Sequence, residues 1–598
     1  PQPIEKPLPP GEISTHSQTL EKPITSENPD PLSNVAIPTT LLPARLSQAE
    51  QIEKLAVKTT IIILLVIIIF SRIWVIRSLD FPLWGDSYQH TMISQLMIDN
   101  RGLFQYWLPY AELSTFTYHF GFHTLVACFD WIIGLPIQKA ILWVGQIVNI
   151  LAIISLYPLV KKLGKNQWSG VFLLLIAGLI SPMPMSYVNW GRYTQLAGQA
   201  ILPAAIFFTW ILIESERLDR RLLVVNWILL GGLALTHYRV LIFMLLFYLA
   251  LILMNLRSQP FSQLIKKTFW SGVGGAFIFL PWLVAIVPFR TMQNFFAQMT
   301  TLPAQASRFL MEYNVLGDPF EFFPPAVWIG LAIAIGWAFW QREKNFIIVI
   351  LWWCLVFLSA NPMWFGLPGT GAISNFAVKI GNYIPISIIL GAFAARMIGN
   401  LQTGINKREK LSPQLKTVFL TFIHVTLLIW ITYFGVSQAR LRLDDIRPNI
   451  FALATRPDQR AASWIRENTR PDDRILVNSF FAYGGSMIAG SDGGWWLPLL
   501  TKRITTQPPL NYGSEEGLES GFTSQVNEII GAIEQDGLSD PSVVNSLREN
   551  GINYIYIGQQ QGRVNSPGPL LDIDLLQSDP HYQLVYHQDQ VWIFKIMD

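Results

Sequence analysis

Apolar residues along the chain gather into eleven long runs, near residues 58–77, 137–160, 168–185, 193–213, 222–237, 238–254, 268–289, 325–340, 345–360, 376–396 and 415–437. Each approaches the roughly 20 residues that an α-helix needs to cross the hydrocarbon core of a bilayer. A further segment, YHFGFHTLVACFDWIIGL (118–135), is apolar but broken by His119, His123 and Asp130. From about residue 438 the pattern shortens. DQRAASWIRENT (458–469) spaces Ala461, Ala462, Trp464 and Ile465 as one helix face. RILVNSF (474–480) and INYIYIG (552–558) are β-branched and aromatic runs expected of strands, VNEIIGAIEQ is helical, and LVYHQDQVWIFKI closes the chain as a strand pair. Ahead of the first run, residues 1–54 are rich in Pro, Ser, Thr and Glu and bury too little apolar surface to offset ordering entropy. The pattern predicts a polytopic α-helical membrane protein of about eleven transmembrane helices plus juxtamembrane helices. Its parts are a disordered tail (1–54), a transmembrane domain (55–437) with a first outer loop at 78–136, and a C-terminal α/β domain (438–598).

Composition agrees with a membrane protein: 51% of the 598 residues are hydrophobic and only 14% charged, against about a quarter charged in soluble chains. A net charge of +3 is too small to point to a nucleic-acid partner. Cys128 and Cys354, both inside apolar stretches, make neither a disulfide framework nor a zinc site. The first apolar run starts too deep for a cleavable leader and reads as a signal anchor. Charge then orients the chain. With the tail in the cytoplasm and 118–135 not spanning, the cytoplasmic connections are KKLGK (161–165), ESERLDRR (214–221), the loop ending in Lys266 and Lys267, QREK (341–344) and NKREK (406–410). The outer connections carry few Lys or Arg, a clear positive-inside bias. Counting 118–135 as a span would reverse every later loop, so it lies on or dips into the outer face, and the C-terminal domain is extracytoplasmic.

The unusual polar residues near the spans all fall on that outer side. They are Asp80, Asp86, His90, Glu112, His119 and His123 in the first loop; Asn189, Arg192 and Tyr193 in NWGRY; His237, Tyr238 and Arg239 in LTHYR; Arg290, Arg308, Glu312 and Asp318 further on; and Lys379 in the outer half of a span. Ionisable groups at membrane depth are costly, so they mark function by default. Each also has a structural alternative. Asp86, in FPLWGDSYQH, can be a helix N-cap with Gln89 as its capping-box partner. His119 and His123, four apart, suit one helix face and a metal pair, but no third ligand is evident. Arg192 and Arg239 can be interfacial anchors beside Trp190 and Tyr238. Trp495 and Trp496, in SDGGWWLPLL, read most simply as a buried or membrane-facing aromatic pair.

In its order of parts the chain resembles the GT-C superfamily of membrane glycosyltransferases, over about residues 55–598. An acidic residue follows the first span (Asp86), then amphipathic juxtamembrane segments including YHFGFH, a span ending in KKLGK, an outer loop with NWGRY and an outward α/β domain. The resemblance is to the polyprenyl-phosphate-sugar-dependent bacterial types, such as protein mannosyltransferases and aminoarabinose transferases. It implies a bacterial cell membrane, a polyprenyl-phosphate sugar donor, and a glycan, lipid or protein acceptor. It also implies inverting transfer with Asp86 as general base. Arg192, Arg239 and Lys379 would then face the phosphate, and His90, His119, His123, Tyr193 and His237 would complete the substrate-binding set.

Oligosaccharyltransferases of the superfamily hold a metal partly with a DxD pair in the second outer loop. Here that loop, SPMPMSYVNWGRY, has no carboxylate, which disfavours a divalent cation, and no metal ligand is assigned. SDGGWWLPLL differs in order from the WWDYG acceptor motif of those enzymes, so no peptide binding is assigned to it. The alternative reading is a non-catalytic GT-C-like subunit that binds lipid-linked sugar or scaffolds a membrane complex. A transporter is disfavoured, because its polar sites would sit near the midplane.

Overall fold

In the first helix, α1 (Gln48–Ile76), the two faces differ: Val57, Leu64, Ile68 and Val75 are buried, while Ile62, Val66 and Phe70 are exposed. Apolar residues on both faces, only one of them covered by protein, are what a lipid-facing helix requires. The computed structural model describes residues 48–305 and 314–597. Arg308, Glu312 and residues 1–47 of the predicted tail lie outside them. The helix begins at Gln48, about two turns inside the segment expected to be tail.

All eleven apolar runs are helical, and the chain is a polytopic helical membrane protein. Among the described residues seven helices are long and apolar enough to cross a membrane: Gln48–Ile76, Ile137–Gly164, Tyr193–Glu214, Tyr238–Asn255, Phe261–Ile286, Asn375–Asn406 and the first part of Pro413–Asn468. Four further apolar helices are shorter: Gly121–Ile133, Ser169–Ile180, Pro325–Trp340 and Lys344–Ala360. The segment broken by histidines forms α3 (Gly121–Ile133). Its 13 residues rise only about 20 Å, short of the ~30 Å hydrocarbon core.

The basic connections meet at one end of the bundle. Lys162 pairs with Glu214 (2.6 Å), Lys267 donates to the carbonyl of Ser215 (2.6 Å), and Arg396 pairs with Glu343 (3.1 Å). Their opposite charges and donors neutralise one another across loops that are distant in sequence. The helix Ser169–Ile180 closes in a π-helical turn, Ile176–Ile180. Buried Arg72 donates to the freed carbonyl of Gly178 (2.8 Å), and Arg442 donates to that of Ile180. These two arginines satisfy a helix end rather than a ligand.

The C-terminal part is an α/β layer. Strands β1 (Arg474–Val477), β4 (Ile552–Ile557), β5 (Tyr582–Gln588) and β6 (Val591–Ile596) form a sheet in the order β1-β4-β6-β5. The β1/β4 pair is parallel and the others antiparallel. Between β1 and β4 in sequence, β2 (Ser479–Ala482) and β3 (Met487–Gly490) make a separate hairpin. Alternation sends Ile475, Val477, Tyr554 and Tyr556 to one face, with Ala461, Ala462 and Ile465 of the helix Arg456–Asn468. It sends Leu476, Ile555 and Ile557 to the other, with helix residues Val526, Ile530, Val543 and Leu547. Each face thus has an amphipathic helix to cover it.

This layer does not stand apart from the helices: Gln48–Asp598 is one compact unit. Arg474 grips Glu112 with two bonds (2.8 and 2.5 Å), and Arg456 grips Asp80 (2.8 and 3.3 Å). Buried Glu515 accepts from the Thr115 hydroxyl (2.8 Å), the Thr117 amide (2.8 Å) and the Thr117 hydroxyl (2.9 Å). Asp80 and Glu112, two of the acids expected on the outer face, are therefore ties between the first loop and the α/β layer.

Candidate functional site

Helix α2 (Trp84–Asp99) carries Asp86 in its first turn. The capping reading is corrected: Leu83 occupies the N-cap position and no side-chain cap bond is made. The carboxylate turns instead to Arg192, whose Nε lies 3.2 Å from its Oδ2. Just ahead, Trp84 holds a left-handed φ of 67°, a conformation that costs an aromatic residue about 1–3 kcal/mol and is concentrated at functional sites. The next residue must be glycine, since a Cβ on Gly85 would lie 2.4 Å from the ring of Trp495.

The NWGRY turn delivers the arginine. Asn189 anchors it by donating to the Asp445 carbonyl (2.7 Å) and accepting from the Arg447 amide (2.9 Å). Gly191, at φ 68°, lies flat against α2, where a Cβ would come 1.8 Å from the Ser87 hydroxyl. Only glycine combines that φ with that approach. Arg192 then faces Asp86 on one side and lies over the Phe376 ring (4.8 Å) on another.

The histidines gather beside this pair in an arrangement unlike the one expected. His119 precedes α3, whose N-cap is Phe120, so His119 and His123 do not share a helix face. His123 Nε2 meets His90 Nδ1 at 3.0 Å, while the His119 ring packs on Tyr118 (3.9 Å between centroids) and on His237 (4.7 Å). His237 accepts the Val240 amide (3.4 Å) and caps the helix Tyr238–Asn255. Gly121 allows the contact, because a Cβ there would meet the Thr236 hydroxyl at 2.4 Å. Among the described residues, both ring nitrogens of His119 are buried without a hydrogen-bond partner. Among the described residues no three His, Cys, Asp or Glu side chains converge as a metal-holding group.

Burial sets the protonation states. It raises the Asp86 carboxyl above its ordinary value, against the opposing pull of Arg192 and then Arg239. Burial, with Arg192 nearby, pushes His90 down to about 3. His119 and His123 lie well below their ordinary value, again chiefly by burial. The imidazoles near Asp86 are neutral at physiological pH, and the positive charge at the site comes from arginine. Tyr118, pushed up to about 12 mainly by burial, stays a phenol and hydrogen-bonds Thr194.

Lys379 is one ring away. Its Nζ lies 5.9 Å from the centroid of Phe376, the ring that Arg192 covers, and 5.5 Å from that of Phe322. Among the described residues it is the one charged group lining a cavity of about 440 Å³ walled by Trp328, Ile350, Phe357, Ile386 and Ile389. Tyr193 belongs elsewhere: its ring is buried, stacked on Phe122 (5.7 Å) and close against Gly145. Arg239 is exposed and makes no ion pair among the described residues. Sequence reasoning missed Tyr118, Phe376 and Trp495 as site-building residues. Phe376 stood three residues before Lys379, a helical neighbour, but nothing local marked it.

A model for a family of unknown function (DUF6541) matches residues 104–598. The chain belongs to the DUF6541 family. No curated protein matches it. Several solved structures resemble this DUF6541 member. The archaeal oligosaccharyltransferase AglB from Archaeoglobus fulgidus, in complex with an inhibitory peptide and a dolichol-phosphate, is 14% identical with a TM-score of 0.53, covering 84% of this chain and 69% of AglB. ArnT from Cupriavidus metallidurans in the apo state is 14% identical with a TM-score of 0.50, covering 92% of this chain and 98% of ArnT. The arabinofuranosyltransferase AftD from Mycobacteria gives 14% and 0.50, over 92% of this chain and 40% of AftD. At this identity the likeness is one of fold: the DUF6541 chain shares its overall architecture with AglB, ArnT and AftD.

Proposed function

We propose that this protein is a membrane glycosyltransferase that moves a sugar from a polyprenyl-phosphate donor to an acceptor at the outer face, with inversion. One observation carries the reading. Asp86 is paired with Arg192, and Arg192 shares the Phe376 ring with Lys379, the charged group of an apolar cavity. A carboxylate, phosphate-binding cations and a slot for a lipid chain are thereby continuous. The dolichol-phosphate bound to AglB, a protein of the same fold, supports a lipid-phosphate ligand.

The chemistry follows from the charges. The acceptor hydroxyl or amine gives its proton to Asp86 as its heteroatom attacks the anomeric carbon. The sugar–phosphate C–O bond breaks, and its electron pair leaves on the carrier phosphate. Burial raises Asp86 and so improves it as a base. The charge developing on phosphate is met by Arg192, which can bind in bidentate fashion, by Lys379 as a point charge, and by the exposed Arg239. Neutral His90, His119 and His123 line the sugar side as hydrogen-bonding groups. The positive-inside pattern supports a cytoplasmic N-terminus, with the α/β layer from about 438 outside.

Replacing Asp86 with Asn tests the assignment. Transfer from a polyprenyl-phosphate sugar should fall by about 100-fold or more, with folding and insertion retained. Unchanged transfer would remove Asp86 from the mechanism. A wild type that binds such lipids but transfers nothing would favour the lipid-sugar-binding or scaffold reading instead.

A further inference from the structure

Lys379 has two kinds of neighbour. Two aromatic faces, Phe322 and Phe376, attract its charge weakly. Its full counter-charge is Glu321, whose Oε2 lies 2.5 Å from Nζ. Glu321 belongs to the connection that precedes the helix Pro325–Trp340, and its side chain is 43% exposed against 14% for Lys379. Gly317, from the same connection at φ 68°, also lies over the amine: a Cβ there would come 2.7 Å from Nζ. The cation is thus fixed within the membrane part, while its partner reaches it from a surface connection.

We propose that Glu321 is a placeholder carboxylate, holding on Lys379 the position that a lipid phosphate takes and yielding it when that phosphate binds. The inference rests on the lipid-phosphate reading of Lys379 given above. An ammonium beside an apolar cavity is costly to leave unpaired, and Glu321 satisfies it in the resting protein. A phosphate monoester carries more charge than a carboxylate and offers three acceptor oxygens, so it competes well for the same amine. Glu321, the more exposed partner, regains water when displaced. The carboxylate therefore lowers affinity for the spent carrier and favours its release after transfer.

The test is equilibrium binding of a long-chain polyprenyl phosphate to the full chain in lipid nanodiscs, with unphosphorylated polyprenol and inorganic phosphate as separate probes. Glu321→Gln should bind the polyprenyl phosphate about two- to five-fold more tightly than wild type, the range expected for a half-exposed ion pair. Polyprenol binding should not change, and inorganic phosphate should compete poorly because it lacks the chain. Lys379→Met should weaken polyprenyl phosphate binding, and adding Glu321→Gln to it should restore nothing. Unchanged or weaker binding by Glu321→Gln, with Lys379→Met still weakened, would overturn the placeholder role while leaving Lys379 as a phosphate ligand. Full binding by Lys379→Met would overturn both. A merely structural ion pair predicts loss on removing either partner, so a gain from Glu321→Gln separates the two roles. Thermal unfolding of each variant accompanies the binding measurements.

Discussion

Arg192 reaches Asp86 because Gly191 lets two stretches of backbone touch: Nε and Oδ2 are 3.2 Å apart, and the glycine lies against Ser87, one residue beyond Asp86. Gly191→Ala should break that relationship. A Cβ would fall 1.8 Å from the Ser87 hydroxyl and 2.6 Å from the Ser87 amide, on a residue at φ 68°. Left-handed strain alone costs about 1–2 kcal/mol, and the collision adds to it. The expected outcome is a lower unfolding temperature together with loss of sugar transfer.

In the proposed mechanism the ion pair also sets the working pH. Transfer by Asp86 needs the ionised carboxylate, and Arg192 holds its pKa below the level that burial alone would impose. Arg192→Gln removes that pull, so the acidic limb of the pH–rate profile should move to higher pH. A limb that stays in place would mean that another group controls it.

The aromatic pair of SDGGWWLPLL supports the same helix from the other side. Trp495 packs on Tyr88 (5.6 Å between centroids) and fills the space over Gly85, while Trp496 packs on Phe81 (5.1 Å) and Tyr88 (5.4 Å). Both indoles are buried. Trp495→Ala should destabilise the fold by about 3–5 kcal/mol through the cavity it leaves. The milder Trp495→Phe should leave the protein folded but lower kcat more than it raises KM, because α2 then holds Asp86 less firmly.

Glu515 makes stability depend on pH. Burial raises its pKa from 4.5 to about 7, against the hydrogen bonds from Thr117 and Thr115. A raised acid binds its proton more tightly folded than unfolded, so its contribution is greatest below pH 4.5 and is lost as pH rises toward 7. The loss is on the order of 3 kcal/mol. Unfolding temperatures measured from pH 5 to pH 8 should fall for the wild type and fall less for Glu515→Gln. A wild type and variant with parallel pH profiles would contradict the assignment.

Much was legible before the fold was known. The eleven runs became helices because long apolar stretches leave the backbone few alternatives in lipid. The basic loops converge at one end, as Lys162 with Glu214 shows, because they obey one charge rule. The candidate residues His90, His119, His123, Arg192 and His237 came together because each sat beside a span on one side. The errors concerned partners. Asp86 with Gln89 looked like a capping box, yet the N-cap lies three residues earlier, at Leu83, and a distant arginine takes the carboxylate. The i,i+4 spacing of His119 and His123 assumed a helix that begins only at Gly121. Tyr193, next to Arg192 in sequence, turns into the core because successive helical residues point in different directions.

By itself, then, the sequence determined which segments are helical and apolar and which basic loops converge. These properties follow from local composition and period, which neighbouring residues settle between themselves. Only the tertiary structure decided that Arg192 meets Asp86, that Phe376 joins Arg192 to Lys379, that Glu321 covers Lys379, and that Trp495 of the α/β layer steadies α2. Such pairings depend on how helices and strands far apart in the chain pack together. They also depend on close approaches, at Gly85, Gly121 and Gly191, whose geometry no local pattern encodes.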